Sequence, residues 1–263
     1  MRQFQSFSDK SGDILQNYWN VIYEFFGSDP LTLWVWGTFL MATVLHWTVG
    51  LCYTVIDLTG KPAFILKYKI QDASTHPVSL TDVLKVVKQV LINQMISFLL
   101  LFVGYYIMLL RGYDSGKTLP TLRRTLFELT VCVLTNEIWF YCSHRLLHHP
   151  SFYKHIHKVH HEWIAPISIS ALYCHPVEYV FCILVSAFIG PLLLGSHTAT
   201  FWLWISLVMI STLIAHSGYS YPFPASPTAH DIHHSKFNAN FGFWGIMDRI
   251  VGTDYKSKSK MAD

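Results

Sequence analysis

The second half of this 263-residue chain contains three histidine clusters. They are His144-Arg-Leu-Leu-His148, His157-Lys-Val-His160-His161 and His230-Asp-Ile-His233-His234. Histidines three or four residues apart lie on one face of a helix, so each cluster presents two or three imidazoles in one direction. Imidazole is the commonest protein ligand of first-row transition metals. Eight donors exceed what one tetrahedral zinc ion can use, so the clusters predict two metal ions in one all-histidine site.

Two further histidines are candidate ligands because each adjoins an apolar stretch near the clusters. His175 precedes one such stretch and His216 ends another, and an ionisable group at a membrane span is a functional candidate. Ten imidazoles would give each of two ions about five donors. The predicted ligands are His144, His148, His157, His160, His161, His175, His216, His230, His233 and His234.

The remaining histidines are expected to serve other purposes. His149 and His155 lie off the faces that the neighbouring clusters define, so we expect them to be exposed or hydrogen-bonded. The sequence places His46, His76 and His197 away from the site.

Composition indicates a membrane protein. Hydrophobic residues make up 52% of the chain and charged residues 13%, against about 25% charged residues in soluble domains. The net charge of +3 is too small to argue for a nucleic-acid partner. Five cysteines, an odd number in or beside apolar runs, predict buried free thiols and no disulfide framework.

Apolar stretches long enough to cross a bilayer divide the chain. Residues 31–56 and 89–110 are two predicted spans, and residues 121–149 form either a third span or a partly embedded helix. The amphipathic stretch 14–27 is either an interfacial helix or an ordinary packed helix. Two more spans, 176–194 and 199–216, form a predicted hairpin.

That hairpin returns the chain to the membrane face it left, so it places all three clusters on one face. Nearby cationic residues indicate that this face is cytosolic; they are Arg145, Lys154, Lys158, Lys236 and Arg249. The predicted fold is an all-α, multi-pass transmembrane bundle with a cytosolic histidine-rich metal-binding cap. We interpret residues 1–263 as one membrane domain, with two-span N-terminal helices over 1–119 and a di-metal catalytic region over 120–255.

Acidic residues near the clusters are candidates to orient the imidazoles by accepting hydrogen bonds from them. They are Glu137, Glu162, Glu178 and Asp231. Imidazole suits iron, zinc and copper, so the residues alone leave iron and zinc both open. A buried di-metal site at a membrane face is well suited to oxidising a lipid, which favours iron.

The three clusters together resemble the fatty acid hydroxylase / sterol desaturase superfamily of integral membrane di-iron enzymes. The ending Phe237-Asn-Ala-Asn240 and Asp248-Arg-Ile-Val-Gly252-Thr253-Asp254 is also similar to that of the family. Tyr173-Cys-His175-Pro-Val-Glu178 and His216-Ser-Gly-Tyr219 resemble segments of C4-methylsterol oxidases. The chain departs from some relatives at Ser220, where they carry another histidine.

The resemblance implies a location in the endoplasmic reticulum membrane, two iron ions with the ten histidines as ligands, and O2 as co-substrate. It implies that electrons from NAD(P)H arrive through cytochrome b5 and its reductase. The implied reaction is hydroxylation of, or desaturation at, an unactivated C–H bond of a sterol or fatty acyl lipid. The Tyr173–Glu178 segment favours a C4-methylsterol.

Other functions stay open on the residues. A fatty acyl or sphingolipid hydroxylase or desaturase would use the same clusters. A membrane metal-binding or transport protein without redox chemistry, or a catalytically silent relative that kept its metals, would also need histidines near spans. Transporters usually hold ions near the bilayer midplane on broken helices, whereas these clusters lie in polar segments at the membrane edge.

Overall fold

The computed structural model describes residues 2–71, 78–113, 116–220 and 227–255, with side chains from residue 12 onward. Within these ranges the chain forms helices and no strand, apart from one isolated antiparallel bridge between Lys69 and Tyr219. The helices are α1 (Arg2–Phe25), α2 (Pro30–Thr59), α3 (Ala63–Leu66), α4 (Leu80–Leu110), α5 (Leu122–Leu147), α6 (Pro150–Tyr153), α7 (Pro176–Leu194), α8 (Thr198–Ala215), α9 (Thr228–Lys236) and α10 (Ile246–Val251). Two 3-10 helices, His157–Glu162 and Ser168–Leu172, lie between α6 and α7.

Four of the helices, α2, α4, α7 and α8, are long and apolar enough to cross a membrane. They contain 18 to 31 residues, which at 1.5 Å per residue matches a hydrocarbon core of about 30 Å. All four predicted apolar spans are confirmed, and α4 begins nine residues earlier than the predicted span 89–110. The chain is therefore an all-α, multi-pass membrane protein.

Helix α5 occupies the region whose role the sequence left open. It is not among the four apolar spans, because polar residues interrupt it. Glu128, Asn136 and Glu137 are nevertheless buried, at 1–2% exposure, since α5 packs along α7 and turns these side chains into the bundle. Because its buried face carries polar residues, α5 lies inside the bundle although its sequence is not continuously apolar.

The two ends of the bundle differ in what they carry. At one end, α1 packs on the connection between α4 and α5, where Trp19 Nε1 donates to the Gly116 carbonyl. His197 donates to the same carbonyl, so the predicted turn between α7 and α8 lies at this end. The other end receives the C-termini of α5 and α8 and carries the three histidine clusters.

Helix α1 has two different faces, as the amphipathic sequence of residues 14–27 predicted. Trp19 is buried at 4% exposure against His197 and Trp202. The opposite stripe is exposed, with Tyr18 at 68% and Val21 at 67%. The helix therefore has one face packed on the bundle and one exposed face that is largely apolar.

A buried layer beneath the clusters holds the histidine-bearing end in place. The 3-10 helix Ser168–Leu172 packs against α2, α4 and α8, and its Ile169 is fully buried. Asn93 of α4 donates to the carbonyls of Leu172 and Cys174. Cys132, Cys174 and Cys182 are buried free thiols and Cys52 and Cys142 are exposed, so the prediction of five buried thiols is right for three.

Candidate metal centre

Four elements bring the histidines to one end of the bundle. His144 lies in the last turn of α5 and His148 caps its C-terminus. The middle cluster forms a 3-10 helix rather than the α-helix that its spacing predicted. The third cluster lies on α9, and His216 caps the C-terminus of α8.

Nine of the ten predicted ligands converge in two groups. In each group, one nitrogen of every ring lies within 4.8 Å of the corresponding nitrogen of all the others. The first, which we call the five-histidine group, contains His144, His148, His157, His161 and His233. The second, the four-histidine group, contains His160, His216, His230 and His234.

The sequence clusters do not map one to one onto these groups. His160 lies in the four-histidine group, while His157 and His161 lie in the five-histidine group. His233 likewise separates from its neighbour His234. The second and third clusters therefore each contribute histidines to both groups. Short stretches of main chain thus connect the five-histidine group with the four-histidine group.

Within the five-histidine group the Nε2 atoms lie close together. His144 Nε2 is 3.1 Å from His157 Nε2, and His161 Nε2 is 3.0 Å from His157 Nε2. His148 Nε2 lies 2.9 Å from that of His157 and 3.1 Å from that of His233. Two nitrogens bound at right angles to one ion, each at about 2.1 Å, would be about 3.0 Å apart. The spacing fits five donors around one ion.

The four-histidine group has similar spacings. His230 Nε2 lies 2.9 Å from His216 Nε2 and 3.0 Å from His234 Nε2. His160 Nε2 lies 3.4 Å from that of His216, close to the separation expected for tetrahedral ligands at the same bond length. This group fits a second ion with four imidazole donors.

The hydrogen bond that Nδ1 of a ring makes shows whether the Nε2 atom of that ring is free to bind metal. His160, His216 and His234 donate from Nδ1 to the carbonyls of Tyr173, Thr212 and Trp163 at 2.8–3.1 Å. In the five-histidine group His144 and His233 donate from Nδ1 to the carbonyls of Phe241 and Ala239 at 2.7 and 2.8 Å. A carbonyl only accepts, so each neutral ring carries its proton on Nδ1 and presents a lone pair on Nε2.

The protonation state of the histidines favours metal binding. Burial, the largest cause, lowers the pKa of His148 to about 2, of His216 to about 3, and of His160 and His233 to about 4. Burial and repulsion from neighbouring rings also lower the pKa of His157, His161, His230 and His234. The rings are therefore neutral at pH 7, the protonation state in which imidazole binds a metal.

The structure leaves His175 out of both groups. Its Nδ1 accepts from the backbone N–H of Val177 at 3.2 Å and caps the start of α7. Proline at the next position explains this role, because Pro at the first helical position favours a capped helix start. The candidate ligand set is therefore nine histidines, five plus four, and not ten divided equally.

The other described histidines belong to neither group. His149 and His155 are exposed, and His149 caps α6. His197 is buried at the opposite end of the bundle. His46 is buried within α2 and belongs to neither group, but it is close enough to His216 to help lower the pKa of that ring, so the expectation that it lies away from the site is wrong. His76 lies outside the described residues.

Of the four acidic residues, Glu178 alone among them contacts an imidazole in the described structure. Its Oε1 lies 2.9 Å from His157 Nδ1, and both side chains are almost fully buried. Glu162 accepts instead from Lys85 and Tyr173, and Asp231 from Gln71. Glu137 accepts from the backbone N–H groups of residues 244 and 247. For Glu137 and Glu162, the expected contact with an imidazole is wrong.

Main-chain carbonyls perform most of the orienting that the sequence assigned to carboxylates. Five of the nine rings donate to a carbonyl, and two of them, His144 and His234, donate to segments 97 and 71 residues away in the sequence. No side-chain type marks a residue whose carbonyl accepts such a bond, so these residues carried no signal in the sequence.

A cavity of about 1180 Å³ opens beside the two groups. At one end it is lined by His144, His160, His216 and His230. Its lining on α4 runs from Gln94 to Ile107, which at 1.5 Å per residue is about 20 Å. The walls are mainly apolar side chains of α2, α4, α7 and α8. The cavity therefore suits an elongated apolar molecule with one part beside the histidines.

The chain is similar in sequence to known proteins. A sequence model described as "Fatty acid hydroxylase" matches residues 129–253, which contain all nine grouped histidines. Fatty acid hydroxylase domain-containing protein 2 of Macaca fascicularis is 40% identical over 98% of this chain and 78% of its own length.

Two further relatives have more specific names. Fatty acid hydroxylase ahd1 of Mycosarcoma maydis is 33% identical, over 92% of this chain and 62% of its own length. Methylsterol monooxygenase 1 of Rattus norvegicus is 33% identical, over 83% of this chain and 76% of its own length. No solved structure matches the chain.

Proposed function

The chain belongs to the fatty acid hydroxylase family, and we propose that it is a di-iron oxygenase that hydroxylates a membrane lipid. The observation that carries the proposal is the pair of imidazole groups at the end of a long apolar cavity. With two iron ions bound, such a centre supplies the O2 activation that oxidation of an unactivated C–H bond requires. Hydroxylation consumes O2, two electrons and two protons and yields the alcohol and water.

The residues of the chain perform the remaining tasks. The nine imidazoles hold the ions, and the carbonyls and Glu178 fix the ring orientations. The cavity walls bind the lipid body and keep water from the reacting carbon. The described part of the chain contains no nucleotide-binding fingerprint, so we propose that electrons from NAD(P)H arrive through cytochrome b5 and its reductase.

A C4-methylsterol is the substrate class we propose first, with one methyl group as the oxidised position. Relatives named methylsterol monooxygenases match 83–95% of this chain at 29–33% identity. The cavity volume of about 1180 Å³ also exceeds the range of roughly 300–1,000 Å³ that is typical of small-molecule pockets. A rigid multi-ring lipid would use that space better than one extended acyl chain.

A fatty acyl or sphingolipid substrate is the second candidate. The relative named fatty acid hydroxylase ahd1 is as identical to the chain as the rat methylsterol monooxygenase, and an apolar cavity about 20 Å long also accommodates an acyl chain.

The location we propose is the endoplasmic reticulum membrane, with the histidine end in the cytosol. Arg145, Lys154, Lys158, Lys236 and Arg249 are exposed near that end, in agreement with the positive-inside rule. Protease protection of epitope tags placed after Lys154 and between α7 and α8 tests this orientation.

The deciding experiment compares lipids in cells with and without the chain, and with the His160→Ala variant, under ¹⁸O2. We expect one lipid class to gain a single ¹⁸O atom only with the unchanged chain. Labelled sterols support the first substrate class and labelled acyl chains the second. An unlabelled lipid profile, with both ions present, would refute oxygenase activity and favour a non-catalytic metal-binding protein.

A further inference from the structure

The segment that follows α9 closes over the five-histidine group. Two of its carbonyls, from Ala239 and Phe241, accept hydrogen bonds from His233 Nδ1 and His144 Nδ1. Both residues are buried, at 0% and 6% exposure. The segment thus determines the direction in which two of the five candidate ligands point their Nε2 atoms.

Asp248 holds this segment in its conformation. Its Oδ1 accepts from Phe241 N at 2.9 Å and from Thr253 Oγ1 at 2.6 Å, and its Oδ2 accepts from Gly242 N at 2.6 Å. The residue is 1% exposed and belongs to neither histidine group. A buried carboxylate that accepts several backbone N–H bonds organises the loop around it.

Glu137 of α5 holds the same segment from the other side. Its two carboxylate oxygens accept from Trp244 N at 2.7 Å and Met247 N at 2.8 Å. A Cβ atom on Gly242 would lie 2.6 Å from Glu137 Oε1 and 2.8 Å from Asp248 Oδ2. The main chain therefore passes between the two carboxylates at a distance that only glycine permits.

We propose that Asp248 is a positioning residue for one of the two metal ions, the one in the five-histidine group. It acts through the main chain: it accepts from the Gly242 N–H, which shares a peptide plane with the Phe241 carbonyl that orients His144. It is not itself a ligand in either histidine group. The inference rests on the proposed two-metal centre but not on the substrate or on oxygenase activity.

The proposal predicts that the two ions respond differently to a change at residue 248. Three rings of the four-histidine group take their Nδ1 acceptors from Tyr173, Thr212 and Trp163. None of these carbonyls lies in the segment that Asp248 holds. Loosening that segment should therefore weaken the ion in the five-histidine group and leave the other in place.

Asp248→Asn is the main test because it preserves the size of the side chain. Its amide nitrogen would face a backbone N–H, so one acceptor is replaced by a donor. The full chain is purified in detergent, loaded with Fe²⁺ or Zn²⁺ and titrated against a chelator, with metal counted per chain. We expect two ions in the unchanged protein, and in the variant one ion with unchanged affinity and one bound about 10- to 100-fold more weakly.

Two further variants identify which ion is weakened and provide a test in case Asp248→Asn does not fold. His234→Ala removes a candidate ligand of the four-histidine group, and adding Asp248→Asn to it should weaken the single ion that remains. Thr253→Val removes one bond to Asp248 and should weaken the same ion to a smaller degree, should Asp248→Asn not fold.

Glu128→Gln is the matched control. Like Asp248, Glu128 is a buried carboxylate. It lies on α5 at 2% exposure and pairs with Arg124. It lies sixteen residues before His144, which is about 24 Å along the helix, so both ions should stay bound. Two ions held with unchanged affinity in Asp248→Asn and Thr253→Val, or equal weakening of both ions, would overturn the proposal. Fewer than two ions in the unchanged chain would instead refute the two-metal centre itself.

Discussion

His160 Nε2 lies 3.4 Å from His216 Nε2, although the Nδ1 atom of each ring donates to a carbonyl. Two neutral rings in this tautomer point lone pairs at each other, and neither has a proton to share. Such a contact is repulsive unless a cation lies between the rings. The arrangement is thus one that a bound metal ion stabilises.

Removing metal should therefore destabilise the histidine end. A ligand that binds only the folded state adds about 2.7 kcal/mol at a concentration 100 times its Kd, so we expect a lower Tm after chelation and recovery on adding Fe²⁺ or Zn²⁺. Differential scanning calorimetry in detergent measures this. An unchanged Tm after complete metal removal would contradict the account.

His160→Ala should abolish lipid oxidation while leaving membrane insertion intact. The ring supplies a donor to the four-histidine group, and its removal leaves three imidazoles there. Product formation and carbonate extraction of membranes measure the two properties. Normal turnover by well-expressed protein would show that His160 is not a ligand.

His175→Ala provides the contrasting case. The structure gives His175 a helix cap instead of a place in either group, so both metal ions should remain. Loss of a cap typically costs about 0.5–2 kcal/mol, so the expected change is a modest fall in stability. Loss of one metal ion in this variant would restore His175 to the ligand set.

Glu178→Gln should weaken metal binding at the five-histidine group. The carboxylate oxygen lies 2.9 Å from His157 Nδ1, and losing an outer partner of a ligating imidazole typically costs 10- to 100-fold in metal affinity. Chelator competition measures the change. Glu162→Gln is the matched control, because Glu162 contacts Lys85 and Tyr173 but no imidazole.

Gly104→Phe should block the far end of the cavity. Gly104 lines it on α4, and a Cβ there would lie 3.8 Å from Phe188 and Trp34, so Gly104→Ala is tolerated and serves as the control. We expect the Phe variant to raise KM for long lipids and to keep its full metal content. Equal kinetics for both variants would place the substrate elsewhere.

A separate electron carrier should be obligatory. Purified protein given NADPH and O2 should turn over only after cytochrome b5 and its reductase are added, and oxygen consumption measures this. Turnover without a carrier would refute the proposed electron route.

The sequence predicted the helical membrane fold from its apolar stretches, and the spacing of the three clusters predicted that their eight histidines would converge, as they do. It did not predict that His160 would group with His216, His230 and His234 and not with His157 and His161, since that division depends on where α8 and α9 pack. It also assigned Glu137 to the imidazoles, whereas the carboxylate binds backbone N–H groups of a segment more than 100 residues away. Contacts of this kind depend on tertiary packing.

In the proposed centre, nine imidazoles at one end of the bundle hold two metal ions. Mass spectrometry of the 263-residue chain, purified in detergent after Fe²⁺ loading and dialysis, counts the ions bound per chain. We expect two ions in the unchanged chain and one in His234→Ala. One ion or none in the unchanged chain would refute the two-metal centre.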